Sequence, residues 1–146
     1  MITPPFYKRV TLVVADIERS LTIYRDILGF TVNSIQPSDD DSYSYPVFRI
    51  PKEAKITFAT LDSPDQERTI GLTEVRGVSL PKQDGIAMAA SVINVSDLQQ
   101  IISKIEALGL ETTHPEMDSN DHFSFLEQAF FDFDGHLIVL YEILPN

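Results

Sequence analysis

Residues 9–16 read RVTLVVAD, and this stretch decides the fold because a short β-branched run leads directly into an aspartate that can begin a helix. After Asp16, apolar residues recur at the spacing of one helical face, at Ile17, Leu21, Tyr24, Ile27 and Leu28. Gly29 can take the left-handed conformation that ends a helix, and residues 30–35 alternate as a strand does. The pattern predicts a strand, an amphipathic helix and a second strand.

The same plan returns in the second half of the chain. Residues 86–95 have the composition of a strand, Asp97 lies 81 positions after Asp16, and Gly109 lies 80 positions after Gly29. The apolar residues of the intervening helix share one face: Leu98, Ile101, Ile102, Ile105 and Leu108. Further strands are expected at residues 47–50, 55–61, 109–113, 124–132 and 137–143. We therefore predict an α+β fold of two tandem βαβββ modules.

These boundaries define a single domain over residues 1–146, with the first module at 6–61 and the second at 86–146. Residues 62–85 are expected to connect the modules. A connection of this length usually carries structure or function. We expect it to form a hairpin, an arm that contacts a second subunit, or a flap over a site.

The charge balance argues against nucleic acid and membrane surfaces as partners. The 146 residues include 22 Asp and Glu but only 11 Lys and Arg, which gives a formal net charge of −11. A chain with this charge repels phosphate backbones and anionic lipid. No apolar run approaches the roughly 20 residues of a membrane-spanning helix. Because the chain lacks cysteine, it can form neither disulfides nor thiolate metal sites. We expect a cytoplasmic protein.

Two stretches resemble the signatures of a known family. RVTLVVAD at residues 9–16, with Ser20, Tyr24 and ILGF at 27–30, is similar to the opening signature of the vicinal oxygen chelate superfamily, and DFDGHLIVLY at 132–141 is similar to its closing signature. The superfamily includes glyoxalase I, bleomycin-resistance proteins, extradiol dioxygenases and fosfomycin-resistance enzymes. The resemblance implies that the modules form a curved, cup-shaped mixed sheet with helices on the outside, and that the protein is a homodimer.

The resemblance also concerns a metal site. Metal-dependent members of the superfamily usually carry a histidine at the start of the first strand of a module and a glutamate near the middle of a final strand, which together hold a divalent cation. In this sequence the corresponding positions are Arg9, Ala90 and Val139, and the strand expected at 55–61 contains no carboxylate or imidazole. The resemblance therefore implies that the family's metal site is lost and that no metal cofactor is bound.

Strand alternation selects the side chains that would face into the cup. They are Arg9, Thr11, Val13, Ala90, Val92, Asn94, Val139 and Tyr141, and we expect them to contact a small organic ligand. Arg9 could hold a carboxylate or phosphate through its planar guanidinium, or could pair with one of the chain's many acids. No residue is assigned a catalytic role, because no nucleophile with a neighbouring base can be recognised.

Two further groups of residues leave alternatives open. His114 and His122 flank a loop rich in carboxylates, so an improvised metal site is an alternative to the commoner case of exposed loop histidines. The phenylalanines at 123, 125, 131 and 133 would share one side of an unbroken strand. They would form either a stacking wall for a planar ligand or an ordinary packing surface.

Three functional hypotheses follow from these observations. The first is a metal-free, bleomycin-resistance-like protein that binds a small organic molecule, anionic or aromatic, in its cup. The second is an enzyme of the same superfamily, a lyase, isomerase or dioxygenase, that uses a non-standard metal site or metal-free chemistry through Arg9 and Tyr141. The third is a non-catalytic module that binds another protein.

Overall fold

Two four-stranded mixed sheets contain the named strands of the computed structural model, which describes residues 3–145. The first sheet consists of β1 (Val10–Val14), β2 (Thr31–Pro37), β3 (Lys55–Ser63) and β4 (Gln66–Arg76), in the spatial order β1-β4-β3-β2. The second consists of β5 (Ala90–Asn94), β6 (Glu116–Ser119), β7 (Ser124–Phe131) and β8 (Leu137–Leu144), in the order β5-β8-β7-β6. In each sheet the first strand is parallel to the last, and the other neighbours are antiparallel. The predicted α+β fold of two tandem βαβββ modules is confirmed.

The helices follow the first strand of each module, as the sequence predicted. Helix α1 (Ile17–Leu21) continues as a π-helical segment, Thr22–Ile27, and α3 (Leu98–Ala107) is its counterpart in the second module. Gly29 and Gly109, which follow these helices, have φ angles of 85° and 81°. Only glycine adopts this conformation without steric cost, so both helices end where the sequence indicated. Among residues 3–145, no helix combines the length and the apolar character needed to cross a membrane.

Two compact units divide the chain, and their boundaries do not follow the sequence repeat. One unit contains the residues up to Glu18 together with Gly29–Leu80, and the other contains Arg19–Leu28 together with the residues from Pro81 onward. The π-helical segment, although it belongs to the first repeat, is therefore part of the second unit. Within that unit it contacts α3.

The prediction of a strand at residues 47–50 is wrong, because this region forms the short helix α2 (Ser44–Phe48). Pro46 lies in the first turn of α2, where a helix does not need the missing N–H. Tyr45 is buried and donates a hydrogen bond from Oη to the carbonyl oxygen of Ala54 over 2.8 Å. This anchored tyrosine stabilises a helix in a segment whose composition indicated a strand.

The segment expected as a connector contains β4, so the first module extends to Arg76 and not only to residue 61. β4 lies between β1 and β3, parallel to the former and antiparallel to the latter. In the second module, β6 occupies Glu116–Ser119, whereas the strand expected at 109–113 is reduced to a single bridge between Thr112 and Phe130. Each module therefore has its full set of strands, with boundaries that differ from the prediction.

In each module, a carboxylate of the last strand accepts a hydrogen bond from the first backbone N–H of the module's helix. The Ile17 N–H donates to Glu74 Oε2 over 2.8 Å, and the Leu98 N–H donates to Glu142 Oε1 over 3.0 Å. Glu74 is 8% exposed and also accepts a hydrogen bond from Arg76 Nε over 2.9 Å. Because a helix N-terminus favours negative charge, this repeated contact fixes each helix relative to the strand beside it.

A buried tyrosine–aspartate pair lies within the second unit. Tyr24, fully buried in the π-helical segment, donates a hydrogen bond to Asp132 Oδ2 over 2.7 Å. Asp132 Oδ1 accepts the backbone N–H groups of Asp134 and His136, each over 2.9 Å, so the turn before β8 is organised around this carboxylate. Burial, reinforced by the Asp132 charge, raises the pKa of Tyr24 well above its usual value of about 10.

The raised pKa of Tyr24 predicts a specific loss of stability in alkali. Because the folded-state pKa lies above the unfolded-state value of about 10, the stability linked to the neutral phenol is present below that pH and decreases as the pH rises above it. Urea denaturation between about pH 8 and about pH 11 is expected to show a steeper loss in wild type than in Tyr24→Phe. Tyr43→Phe, which changes an 80% exposed side chain, is the control and should follow wild type. Parallel curves for wild type and Tyr24→Phe would contradict the assignment.

Candidate functional site

The three first-module residues predicted to contact a ligand occupy one face of the first sheet. Arg9 immediately precedes β1, and Thr11 and Val13 follow it at alternate positions. Leu12 and Val14 point to the opposite face and are buried in the core. The alternation predicted for this strand is therefore present.

Strand register brings further residues to the same face. Thr11 pairs with Gly71, Gly71 pairs with Thr60, and Thr60 pairs with Ser34, whose hydroxyl oxygen lies 2.9 Å from that of Thr60. Two residues further along β1 and β4, Val13 pairs with Thr73, and Thr73 pairs with Phe58 of β3. We refer to this surface as the Arg9 face, and it consists of Arg9, Thr11, Val13, Ser34, Phe58, Thr60, Gly71 and Thr73.

The Phe58 ring covers the centre of the Arg9 face. A β-carbon placed on Gly71 would lie 3.0 Å from Phe58 Cε1 and 3.0 Å from Thr11 Oγ1. The guanidinium carbon of Arg9 lies 5.9 Å from the centroid of the same ring, within the range of a cation–π contact. Since Gly71 has no side chain, the ring and the Thr11 hydroxyl can approach the backbone of β4 at this point.

Two polar atoms of the Arg9 face are buried without a hydrogen bond. Within residues 3–145, neither Arg9 Nε nor Thr73 Oγ1 has a partner, and Thr73 is fully buried. The ion pairs formed in that part of the chain also do not include Arg9, although pairing with an acid was the alternative to ligand binding. Buried polar atoms in proteins are nearly always satisfied, so this pair of atoms requires an explanation.

Phe58, Gly71 and Thr73 were not among the predicted site residues. β4 was expected to be part of the connector, and without β4 the register that brings these residues together cannot be deduced. A weak signal was available, because residues 69–73 alternate between Thr or Gly and the apolar Ile70 and Leu72. This alternation is typical of a strand with one apolar face.

The second sheet carries the remaining predicted ligand residues on a face of its own. Alternate positions of β5 and β8 share it: Ala90, Val92, Asn94, Val139 and Tyr141. Val92 is 64% exposed, and the ring of Tyr141 forms a T-shaped contact with Phe125 at a centroid distance of 6.5 Å. This face is mainly apolar and aromatic, and the role of these residues as ligand contacts stays a prediction.

The predicted aromatic wall is present only in part. Phe125 and Phe131 occupy alternate positions on one face of β7, and the ring of Phe123 lies 5.9 Å from that of Phe125. Phe133 lies beyond the strand, where the Arg19 guanidinium carbon is 5.0 Å from its ring centroid. Phe133 therefore packs against a cation of its own unit and does not extend the face of β7.

The side chains at the superfamily's metal-ligand positions do not fit a divalent cation. Arg9, Ala90 and Val139 offer no metal-binding atom. The structure also relocates the first-module counterpart of Val139: Val139 pairs with Val92 of β5, and the equivalent pairing partner of Thr11 in β1 is Gly71 of β4. The counterpart of Val139 is therefore in β4 and not in the strand expected at 55–61, and glycine provides no metal ligand either.

The histidines do not form an alternative site in the described ranges. No group of three or more His, Cys, Asp or Glu side chains within residues 3–145 is arranged to hold a metal ion. His114 Nδ1 lies 3.8 Å from Glu116 Oε1, and both side chains are more than four-fifths exposed. The backbone N–H of His122 donates to the Asn120 side chain over 2.8 Å, within a turn. These contacts are those of exposed loop residues.

Comparison with known families gives one match that spans nearly the whole chain. A sequence model of the Glyoxalase/Bleomycin resistance protein/Dioxygenase superfamily matches residues 7–140. No curated protein matches the chain.

Solved structures of several proteins share the fold at low sequence identity. A glyoxalase family protein from Bacillus cereus has a TM-score of 0.73 at 14% identity, and the match covers 99% of each chain. A fosfomycin resistance protein from Listeria monocytogenes, in complex with Mn(II) and sulfate, has a TM-score of 0.61 at 19% identity over 97% of this chain and 93% of that one. The trypanothione-dependent glyoxalase I of Leishmania major has a TM-score of 0.60 at 19% identity, with 95% and 87% covered.

The close approach at Gly71 predicts that this position does not tolerate a side chain. In Gly71→Ala, the new methyl group would press on Phe58 and Thr11, so we expect the free energy of unfolding to fall by about 1–3 kcal/mol. Gly85→Ala is the matched control, because a β-carbon there meets no atom within 4 Å. Urea denaturation of both variants tests this expectation, and equal stability of the two would show that the Phe58 ring does not restrict Gly71.

Proposed function

Because the chain belongs to the Glyoxalase/Bleomycin resistance protein/Dioxygenase superfamily, we propose that it binds a small organic anion on the Arg9 face without a divalent metal. The observation that carries this proposal is the buried Arg9 Nε, which has no hydrogen-bond partner within residues 3–145. A guanidinium cannot lose its proton to avoid the cost of burial, so a negatively charged acceptor is the natural partner for it.

Arg9 occupies the position at which metal-dependent relatives are expected to carry a histidine ligand. In the proposed function its fixed positive charge replaces the attraction that a cation would exert on the oxygens of a ligand. A guanidinium differs from a metal ion because it offers directed N–H donors, which match a carboxylate or a phosphonate in two-point contact. The ligand class is therefore an organic acid.

The neighbours of Arg9 suit such a ligand. The hydroxyl groups of Thr11, Ser34 and Thr60 lie on the same face. Thr11 can donate to a further oxygen, as can whichever of Ser34 and Thr60 accepts the hydrogen bond between them. The Phe58 ring adds an apolar surface for the body of the molecule. Small-molecule sites combine apolar surface with placed polar groups, and the Arg9 face provides both.

The proposal predicts that Arg9 determines anion binding and that metal does not. Titration calorimetry with benzoate, phenylphosphonate and inorganic phosphate is expected to show affinity that falls roughly ten- to a hundred-fold in Arg9→Gln. Arg49→Gln, which alters an exposed arginine, is the matched control and should bind as wild type does. Prior treatment with chelator should not change the affinity. Binding that survives Arg9→Gln, or that disappears with chelator and returns with Mn(II), would contradict the proposal.

We also infer that a second copy of the chain covers the exposed apolar segment at residues 86–92, which leads into β5 and includes its first residues. Ile86, Met88 and Val92 are 91%, 93% and 64% exposed, and residues 85–96 contain no charged side chain. Two copies of an acidic protein can bring such segments together without placing like charges opposite each other. An exposed apolar segment of this kind is typical of an interface, and a symmetric dimer would bury it twice.

Sedimentation equilibrium at micromolar concentration is expected to show a dimer for wild type and a monomer for Met88→Lys, because a lysine pair would be buried in the interface. Met117→Lys is the control, since Met117 is 65% exposed in β6 and lies outside the segment. A monomeric wild type, or equal effects of the two substitutions, would contradict this assignment.

The cytoplasm is the compartment that we propose for this protein. The absence of cysteine suits a reducing environment, in which disulfides do not contribute to stability.

A further inference from the structure

The two residues of the Arg9 face that carry unpartnered atoms are both neighbours of one aromatic ring. Phe58 pairs with Thr73 across β3 and β4, and its ring also reaches over Gly71 towards the guanidinium of Arg9. Thr73 is fully buried, and its hydroxyl has no hydrogen-bond partner within residues 3–145. Phe58 is thus the common neighbour of a buried hydroxyl and a buried guanidinium nitrogen, and neither atom has a partner in the described part of the chain.

A hydroxyl and a guanidinium Nε atom buried in this way are unfavourable for the folded protein, because each atom has lost its hydrogen bond to water. Valine at position 73 would have the same shape as threonine and would avoid the cost of the buried hydroxyl. The hydroxyl would offset this cost if it gained a hydrogen-bond partner when a ligand binds. The same reasoning applies to Arg9 Nε, and one incoming group could serve both atoms.

We propose that the Phe58 ring covers an oxyanion subsite, with Gly71 as its floor and Arg9 Nε and Thr73 Oγ1 as its donors, and that the ring turns aside when the acidic group of a ligand enters. This proposal rests on the proposed function and deepens it, because it names the group of the ligand that is bound and the residues that hold it. The chemical class is a carboxylate or phosphonate of a small organic acid.

The chemistry of the donors selects an anion. Arginine has N–H donors and no acceptor, and a threonine hydroxyl can donate to an anionic oxygen while it keeps its own acceptor capacity. A neutral ligand would accept these hydrogen bonds but would leave the positive charge of Arg9 uncompensated. Glycine at position 71 matters because a β-carbon would fill the space that the ring vacates, so the floor of the subsite depends on the missing side chain.

The position of the Phe58 ring over the subsite, when no anion is bound, also has an energetic reason. The Arg9 guanidinium lies 5.9 Å from the ring centroid, so the ring partly compensates the charge when no anion is present. An entering oxyanion would replace this weak contact with charge-assisted hydrogen bonds, which are stronger. The exchange explains how an aromatic ring can cover the subsite without blocking it.

The test compares a substitution on the Arg9 face with one on the opposite face of the sheet, by titration calorimetry with inorganic phosphate, benzoate and phenylphosphonate. Thr73→Val removes one donor and is expected to weaken binding of all three roughly ten-fold or more. Thr57→Val is the matched control, because Thr57 is the neighbour of Phe58 on the opposite face of β3 and should leave binding unchanged. In the absence of anion, Thr73→Val should melt at the same temperature as wild type or higher, which shows that weaker binding does not come from unfolding.

Phe58→Ala tests the covering role of the ring. Inorganic phosphate has no apolar body to contact the ring, so its affinity is expected to rise several-fold when the ring no longer has to be displaced. Wild-type affinity in both Thr73→Val and Phe58→Ala, together with weak binding in Arg9→Gln, would overturn the subsite but leave the proposed function intact. Absence of binding of all three probes in wild type and in Phe58→Ala would overturn both proposals.

Discussion

Parallel pairing of the first and last strands of each module is the constraint on which the rest of the structure depends. β1 pairs with β4, and β5 pairs with β8, with matching direction. Parallel neighbours cannot be joined by a tight turn, so the chain must cross from one end of the pair to the other, and a helix provides the first part of that crossing. The glutamates Glu74 and Glu142 then attach the last strand to the start of that helix.

The central position of β4 explains why its polar residues are buried. Residues 70–75 of this strand are all buried, on both faces, and β4 lies between β1 and β3 in the sheet. Thr73 and Glu74 are adjacent in sequence and therefore face opposite sides of the sheet. Glu74 receives a helix amide and the Arg76 side chain, whereas the Thr73 hydroxyl on the Arg9 face has no partner within residues 3–145. On one face of β4 the polar group, Glu74, is used in hydrogen bonds that hold the fold. On the other face the Thr73 hydroxyl is left for a ligand in the proposed site.

The parts that the sequence predicted well are those with strong local signals. The β-branched run of β1 and the glycines that end the helices can be recognised without knowledge of the rest of the chain, and the repeat reinforces both. β4 was placed in the connector, where a hairpin was one of the expected structures, because Gly71, Thr73 and Glu74 interrupt its apolar pattern. α2 was taken for a strand because Val47 and Phe48 favour strands. The residues that these elements contribute to the site depend on register, which local composition does not contain.

The same limit applies to the candidate site. Alternation along β1 places Arg9, Thr11 and Val13 on one face from sequence alone, and the structure agrees. Phe58 lies far from them in the chain, and only the pairing of β3 with β4 brings its ring above Gly71. In the proposed function, Arg9 supplies a charge that is fixed in position and in protonation, unlike a metal ion whose coordination sphere can change. Selectivity must then come from the shape around the guanidinium, which the Phe58 ring and the bare backbone of Gly71 define.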